Sequence, residues 1–174
     1  MTVLEPETAS SVQPGLSIRI LIWAGEIVAA IGAGRAFDSC SLFIADEARA
    51  VLVLGGLKWG SGVDTGEVVP GRWEVPFDGS VCGAVFRSGR PALIQDVASD
   101  AAYRTYPGAL SRSELTVPIS SGGRRIGVIN LESSRAGTFG IVDLDRLTAD
   151  AERAGASFEA AGLGADLTGP AAAH

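Results

Sequence analysis

A chain of 174 residues with 47% apolar and 20% charged side chains holds enough material for one packed domain and too little for two. Its net charge of −6 argues against nucleic acid and against an anionic membrane surface, both of which require a basic footprint. His174 is the only histidine and stands at the very end, so a histidine-ligated haem, an imidazole-bound zinc and a Ser-His-Asp triad all lack their central group.

Residues 1–15 carry Ser, Pro and Gly without periodicity and read as a flexible lead-in. Ser17 then precedes an apolar run, Ile18 to Ile31, which predicts a helix stopped by Gly32 and Gly34. Apolar residues lie nearly all round it, so burial on more than one face is expected. Arg19 and Glu26 leave too short an uncharged stretch for a membrane span. Ser39 to Asp46 and Val51 to Trp59 read as strands joined by a turn at Glu47-Ala48-Arg49. Gly55, Gly56, Gly60 and Gly62 break the regularity and predict a loop over 60–71, with a short strand over Arg72 to Val75. Ser80 caps a helix from Val81 to Arg87, Gly89-Arg90-Pro91 ends it, and Ala92 to Val97 forms a strand. Residues 98–112 read as a short helix and a loop. Glu114 to Ser120 and Ile126 to Ser133 alternate in polarity and predict an antiparallel hairpin. Asp143 opens a last helix to about Ala161, with Leu144, Leu147, Ala151, Ala154 and Phe158 along one side. The domain thus spans 16–162, and 163–174 is expected to be a flexible tail. The order of elements predicts an α+β domain, a mostly antiparallel sheet with its first and last helices on one face.

The hairpin separates two chemistries. Leu115, Val117, Ile129 and Leu131 fall on one face, a bed for the long helices; Glu114, Thr116, Asn130 and Glu132 fall on the other, beneath the loop-rich passage from Ser61 to Arg112. A three-residue loop at Ser121-Gly122-Gly123 sets Glu114 across from Asn130. Two carboxylates and an amide then form the floor of a polar pocket, or a solvated open face. If the floor is covered, the carboxylates need partners, for which Arg72, Arg104, Arg112 or a ligand ammonium group are the candidates. Trp59, Trp73, Tyr103 and Tyr106 flank this region and can hold a ligand's apolar body. Asp96 and Asp100 bracket a strand-to-helix junction, where capping accounts for them. Together with Glu114 and Glu132 they follow no metal-ligand spacing, so no metal is assigned.

Gly79-Ser-Val-Cys-Gly83, Ala92-Leu-Ile-Gln-Asp-Val97, Asp100, Ser113-Glu-Leu-Thr-Val-Pro118 and Ile126-Gly-Val-Ile-Asn-Leu-Glu-Ser133 resemble, in order and spacing, the GAF domain family of small-molecule-binding sensory modules. The resemblance covers residues 18 to 161 and is strongest over 77–133. It implies a GAF-like sheet with the terminal helices on one side, often a dimer interface, and a loop-covered cavity on the other. The Asn-Lys…Phe…Asp-Glu signature of cyclic-nucleotide-binding members is absent, since no Asn adjoins Lys58, the only lysine. Bilin-binding members attach chromophore through a Cys followed by His; Cys40 precedes Ser41 and Cys82 precedes Gly83, so no bilin is expected.

Free methionine-(R)-sulfoxide reductases, stand-alone GAF enzymes, resemble the chain more closely but in part. Cys82 falls on one of their cysteines, and Glu114, Asn130 and Glu132 fall on their acidic substrate-binding positions, with Asn130 replacing an aspartate. Ala92 stands where they carry a second cysteine, and the attacking cysteine falls near Pro107. A thiol cycle needs a second sulfur to resolve the sulfenic acid. The leading expectation is a non-catalytic module binding a small polar molecule through Glu114, Asn130, Glu132, Trp73, Cys82, Tyr103 and Thr116. An enzyme using Cys82 and a ligandless dimerisation element are the alternatives. Two cysteines are too few for a disulfide scaffold, and Met1 to Thr8 lacks a secretory layout, so a cytoplasmic protein is expected, a homodimer through its terminal helices.

Overall fold

The computed structural model describes residues 15–60, 68–99 and 111–167. In chain order the elements are α1 (Ile18–Ile31), β1 (Ser39–Asp46), β2 (Val51–Trp59), β3 (Glu74–Pro76), α2 (Val81–Ser88), β4 (Ala92–Ile94), β5 (Ser113–Ser121), β6 (Arg124–Ser133), α3 (Ile141–Ala160) and α4 (Gly164–Leu167). The strands form one antiparallel sheet of six in the order β3-β2-β1-β6-β5-β4. The expected α+β, GAF-like architecture is therefore the observed one.

Caps account for the helix starts. Ser17 accepts from the Ile20 amide at 3.2 Å, and Ser80 accepts from the Gly83 amide at 3.0 Å. α3 begins at Ile141, two residues earlier than expected. Asp143 serves as the third helical residue, its carboxylate reaching back to the Gly140 amide at 2.9 Å.

Both sheet faces are covered. Cys40, Leu42, Ile44, Leu115, Val117, Ile129 and Leu131 meet Trp23, Ala24 and Val28 of α1 and Leu147, Ala151 and Phe158 of α3. The Trp23 indole stands edge-on to Phe158 at 5.0 Å and donates to Ser157 Oγ at 2.9 Å, tying the two helices together. On the other face, Cys82, Val85 and Phe86 of α2 pack on Phe43, Leu52, Leu54, Val75 and Val128. Gly56, expected to interrupt the chain, lies inside β2. A Cβ there would stand 2.5 Å from the Ala24 carbonyl oxygen, so glycine lets α1 reach the sheet.

Other boundaries differ for local reasons. The strand expected over Ala92 to Val97 stops at Ile94, because Asp96 accepts from the Ala98 amide and turns the chain into a 3-10 segment, Val97–Ser99. β3 falls at Glu74–Pro76, where Val75 pairs with Leu52, instead of over Arg72 to Val75. The expected tail begins with a docked segment: Leu163 is buried, and Asp166 accepts from Ser17 Oγ at 3.0 Å and pairs with Arg19 at 3.2 Å.

Cys40 is buried against the helices, and desolvation raises its thiol from 9.0 to about 12; Arg35 and Lys58 oppose the rise and Asp150 adds to it. The folded chain holds this proton to higher pH than the unfolded chain. The associated stability is therefore complete below pH 9 and is lost as pH rises toward 12. Urea unfolding is expected to show about 1.4 kcal/mol lost to this thiol by pH 10, with the loss reduced in Cys40→Ala. A pH-independent stability between pH 8 and 10 would count against it.

Candidate functional site

The hairpin register builds the floor. Ser121 pairs with Arg124 across the two-residue turn Gly122-Gly123, whose φ values of 57° and 78° suit the right-handed strand twist. A two-residue turn alone would reverse the facing of β5 against β6. A bulge between Ile119 and Ser120 inserts one extra residue and restores it. Glu114 consequently pairs with Glu132 rather than Asn130, a shift of two positions that preserves the faces.

The register also brings β1 alongside. Ser39, Glu132 and Glu114 form one row across three strands, and Ser41, Asn130 and Thr116 form the next; Phe43, Val128 and Pro118 continue as an apolar row. Apart from Pro118, all of these side chains are buried, Glu114 and Glu132 to 2% and 1% exposure. Two carboxylates side by side and out of water are costly to fold, because each loses hydration and each repels the other.

Hydroxyls offset part of that cost. Glu132 Oε2 accepts from Ser39 Oγ and from Ser111 Oγ, each at 3.1 Å. Thr116 Oγ1 donates to Glu114 Oε1 at 2.7 Å and lies 3.2 Å from Asn130 Oδ1. A hydroxyl has one proton, so the shorter contact, to the Glu114 carboxyl oxygen, takes it.

Cys82 stands over the floor from α2, its thiol 3.9 Å from Glu114 Oε1. Burial pushes this thiol well above the usual range, and Glu114 and Glu132 push it further. It is a protonated thiol at neutral pH and a poor nucleophile. Cys40 belongs to the core on the opposite face of the sheet, so it cannot resolve an oxidised Cys82 in this arrangement.

The structure thus brings together Glu114, Thr116, Asn130, Glu132 and Cys82. Trp73 is half-buried against the apolar part of the same face, its carbonyl accepting from the Leu54 amide at 2.8 Å. Tyr103, with Asp100, Arg104 and Tyr106, lies outside the described residues. Arg112 does not turn to the floor; it binds Asp96 at 2.6 Å on the exterior. Arg72 is exposed. Among the described residues no acidic, histidine or cysteine cluster has the makings of a metal site. Ser39, Ser41 and Ser111 escaped the sequence reading. Ser39 and Ser41 share a facing in β1, but their pairing with β6 joins segments some 90 residues apart, which alternation cannot show.

An α+β module with helices on one sheet face and a covered polar floor on the other has the architecture of a small-ligand sensory domain. The chain belongs to the GAF domain family, whose model matches residues 24–159. Protein YtsP of Bacillus subtilis (strain 168) is 30% identical over 115 residues, 63% of this chain; the match spans 61% of that relative's length. Among solved structures, the free methionine-R-sulfoxide reductase of Neisseria meningitidis, in complex with its substrate, is similar at TM-score 0.68 and 24% identity over 81% of this chain and 78% of its own. The second GAF domain of DevS from Mycobacterium smegmatis is similar at TM-score 0.66 and 16% identity, over 86% and 99%. At these identities the structural likenesses show the fold alone. Among the described residues no helix is long and apolar enough to cross a membrane.

Proposed function

We propose that this GAF domain is a non-catalytic sensory module that binds a small polar molecule carrying an ammonium group. The observation that carries this reading is the row Ser39, Glu132 and Glu114, with two adjacent carboxylates buried beneath α2. A cationic ligand group placed there turns their mutual repulsion into attraction, and low dielectric strengthens it. Thr116 and Asn130 add hydrogen-bonding groups, while Trp73 and Cys82 contribute apolar contact. The likeness to a reductase captured with its substrate supports small-molecule binding by this fold. The protonated, solitary Cys82 favours binding over thiol chemistry. A cytoplasmic homodimer, with α1 and α3 carrying the signal between subunits, completes the reading. Exposed Ile18 and Ile22 on α1 and Ile141 and Val142 on α3 support such pairing.

Thermal unfolding against amino acids, methionine sulfoxide and nucleotides tests it. An amine-bearing compound at about 100 times its Kd is expected to add ~2.7 kcal/mol of stability, while nucleotides leave the midpoint unmoved. Absence of a shift with every amine would defeat the reading. Thioredoxin-coupled turnover of methionine sulfoxide that vanishes in Cys82→Ser would replace it with the enzyme.

A further inference from the structure

A second concentration of charge lies away from the carboxylate floor, where the α1–β1 turn, the end of β2 and the β6–α3 connector converge. Two adjoining cavities of about 450 and 510 Å³ meet there and share Gly34, Arg35, Ala36 and Arg135. Each has a volume within the usual range for small-molecule sites. Their walls carry four cations, Arg35, Lys58, Arg135 and Arg146, against two carboxylates, Asp38 and Asp143, in a chain whose net charge is −6.

The carboxylates keep their charge but are held by other groups, which leaves the cations in excess. Asp38 accepts from the Ser134 amide, Asp143 from the Gly140 amide, and Asp150 pairs with both Arg35 and Arg153. Lys58, Arg135 and Arg146 make no ion pair among the described residues. Lys58 reaches the cleft across the end of α1. A Cβ on Gly32 would stand 2.6 Å from its Cδ, so the glycine leaves room for the aliphatic stem.

We propose that this cleft is a second ligand site, for a small molecule bearing a multiply charged phosphate group. Like-charged side chains gathered in one concavity repel one another until an anion occupies it, and the concavity focuses their field. Guanidinium groups match phosphate oxygens in pairs, and the lysine adds a point charge. A single carboxylate would meet one of these forks, whereas a diphosphate spans several.

Calorimetric titration of the full chain with pyrophosphate at low ionic strength tests the site. Saturable one-to-one binding is expected, weakened at least about tenfold in the Arg135→Gln/Arg146→Gln double variant and again in Lys58→Gln. Affinity should also fall with added salt. Glu114→Gln is expected to bind pyrophosphate as tightly as the parent, which separates this cleft from the carboxylate floor. Arg135 and Arg146 are exposed, so circular dichroism should show the double variant folded. Unsaturable heats, equal affinity in the double variant, or equally tight binding of a dicarboxylate would each overturn the proposal.

Discussion

Gly155→Ala is expected to destabilise the domain by about 3 kcal/mol, lowering the melting temperature by roughly 9 °C. The sign runs against helix propensity, by which Ala in a helix interior gains up to about 1 kcal/mol over Gly. Gly155 sits inside α3 on its buried side, with Ala151, Ala154 and Phe158. A Cβ there would stand 1.8 Å from the Ser120 carbonyl oxygen and 2.9 Å from its carbon. The obstacle is backbone next to the hairpin bulge, so no rotamer change relieves it. Either the helix lifts from β5 or the bulge shifts, and the bulge is what keeps Glu114 and Glu132 facing alike. Gly25→Ala supplies the control: it lies within α1, and its Cβ would meet nothing within 4 Å. That variant should be neutral or more stable. Equal melting temperatures for Gly155→Ala and the parent would rule out the close approach of α3 to β5.

Glu114→Gln is expected to raise stability by about 1–2 kcal/mol, or ~3–6 °C, while abolishing the shift produced by an amine ligand. The amide keeps the shape of the carboxylate, and its carbonyl still accepts from Thr116 Oγ1. What disappears is one of two carboxyl groups buried opposite each other on neighbouring strands. Replacing it lowers the cost of holding two carboxyl groups side by side out of water. The same charge is what a ligand ammonium would use, so stability and binding move in opposite directions, as they do where a site is held against the preference of the fold. Thermal unfolding of parent and variant, with and without ligand, reads both effects. A variant that is less stable yet keeps the full ligand shift would remove Glu114 from the site.

Alternation, caps and glycine stops were enough to determine much of this protein, because these are local effects written in neighbouring residues. Ser17 and Ser80 mark their helices by their own hydroxyls. The period-two pattern of β5 and β6 separates Leu115, Val117, Ile129 and Leu131 from Glu114, Thr116, Asn130 and Glu132 without reference to anything distant. Family resemblance over 77–133 carried the same division to a fold.

Only the tertiary structure decided how the rows align. The exchange of an expected three-residue loop for a two-residue turn plus a bulge moved Glu114 from Asn130 to Glu132, since twist favours the tighter turn and burial of the apolar face enforces the parity. Ser39 and Ser41 joined the floor because β1 inserts beside β6, a pairing between segments far apart in the chain. The cationic cleft likewise draws Arg35, Lys58, Arg135 and Arg146 from four elements or connections. Sequence neighbours determine facing; the pairing of distant strands determines which charges meet.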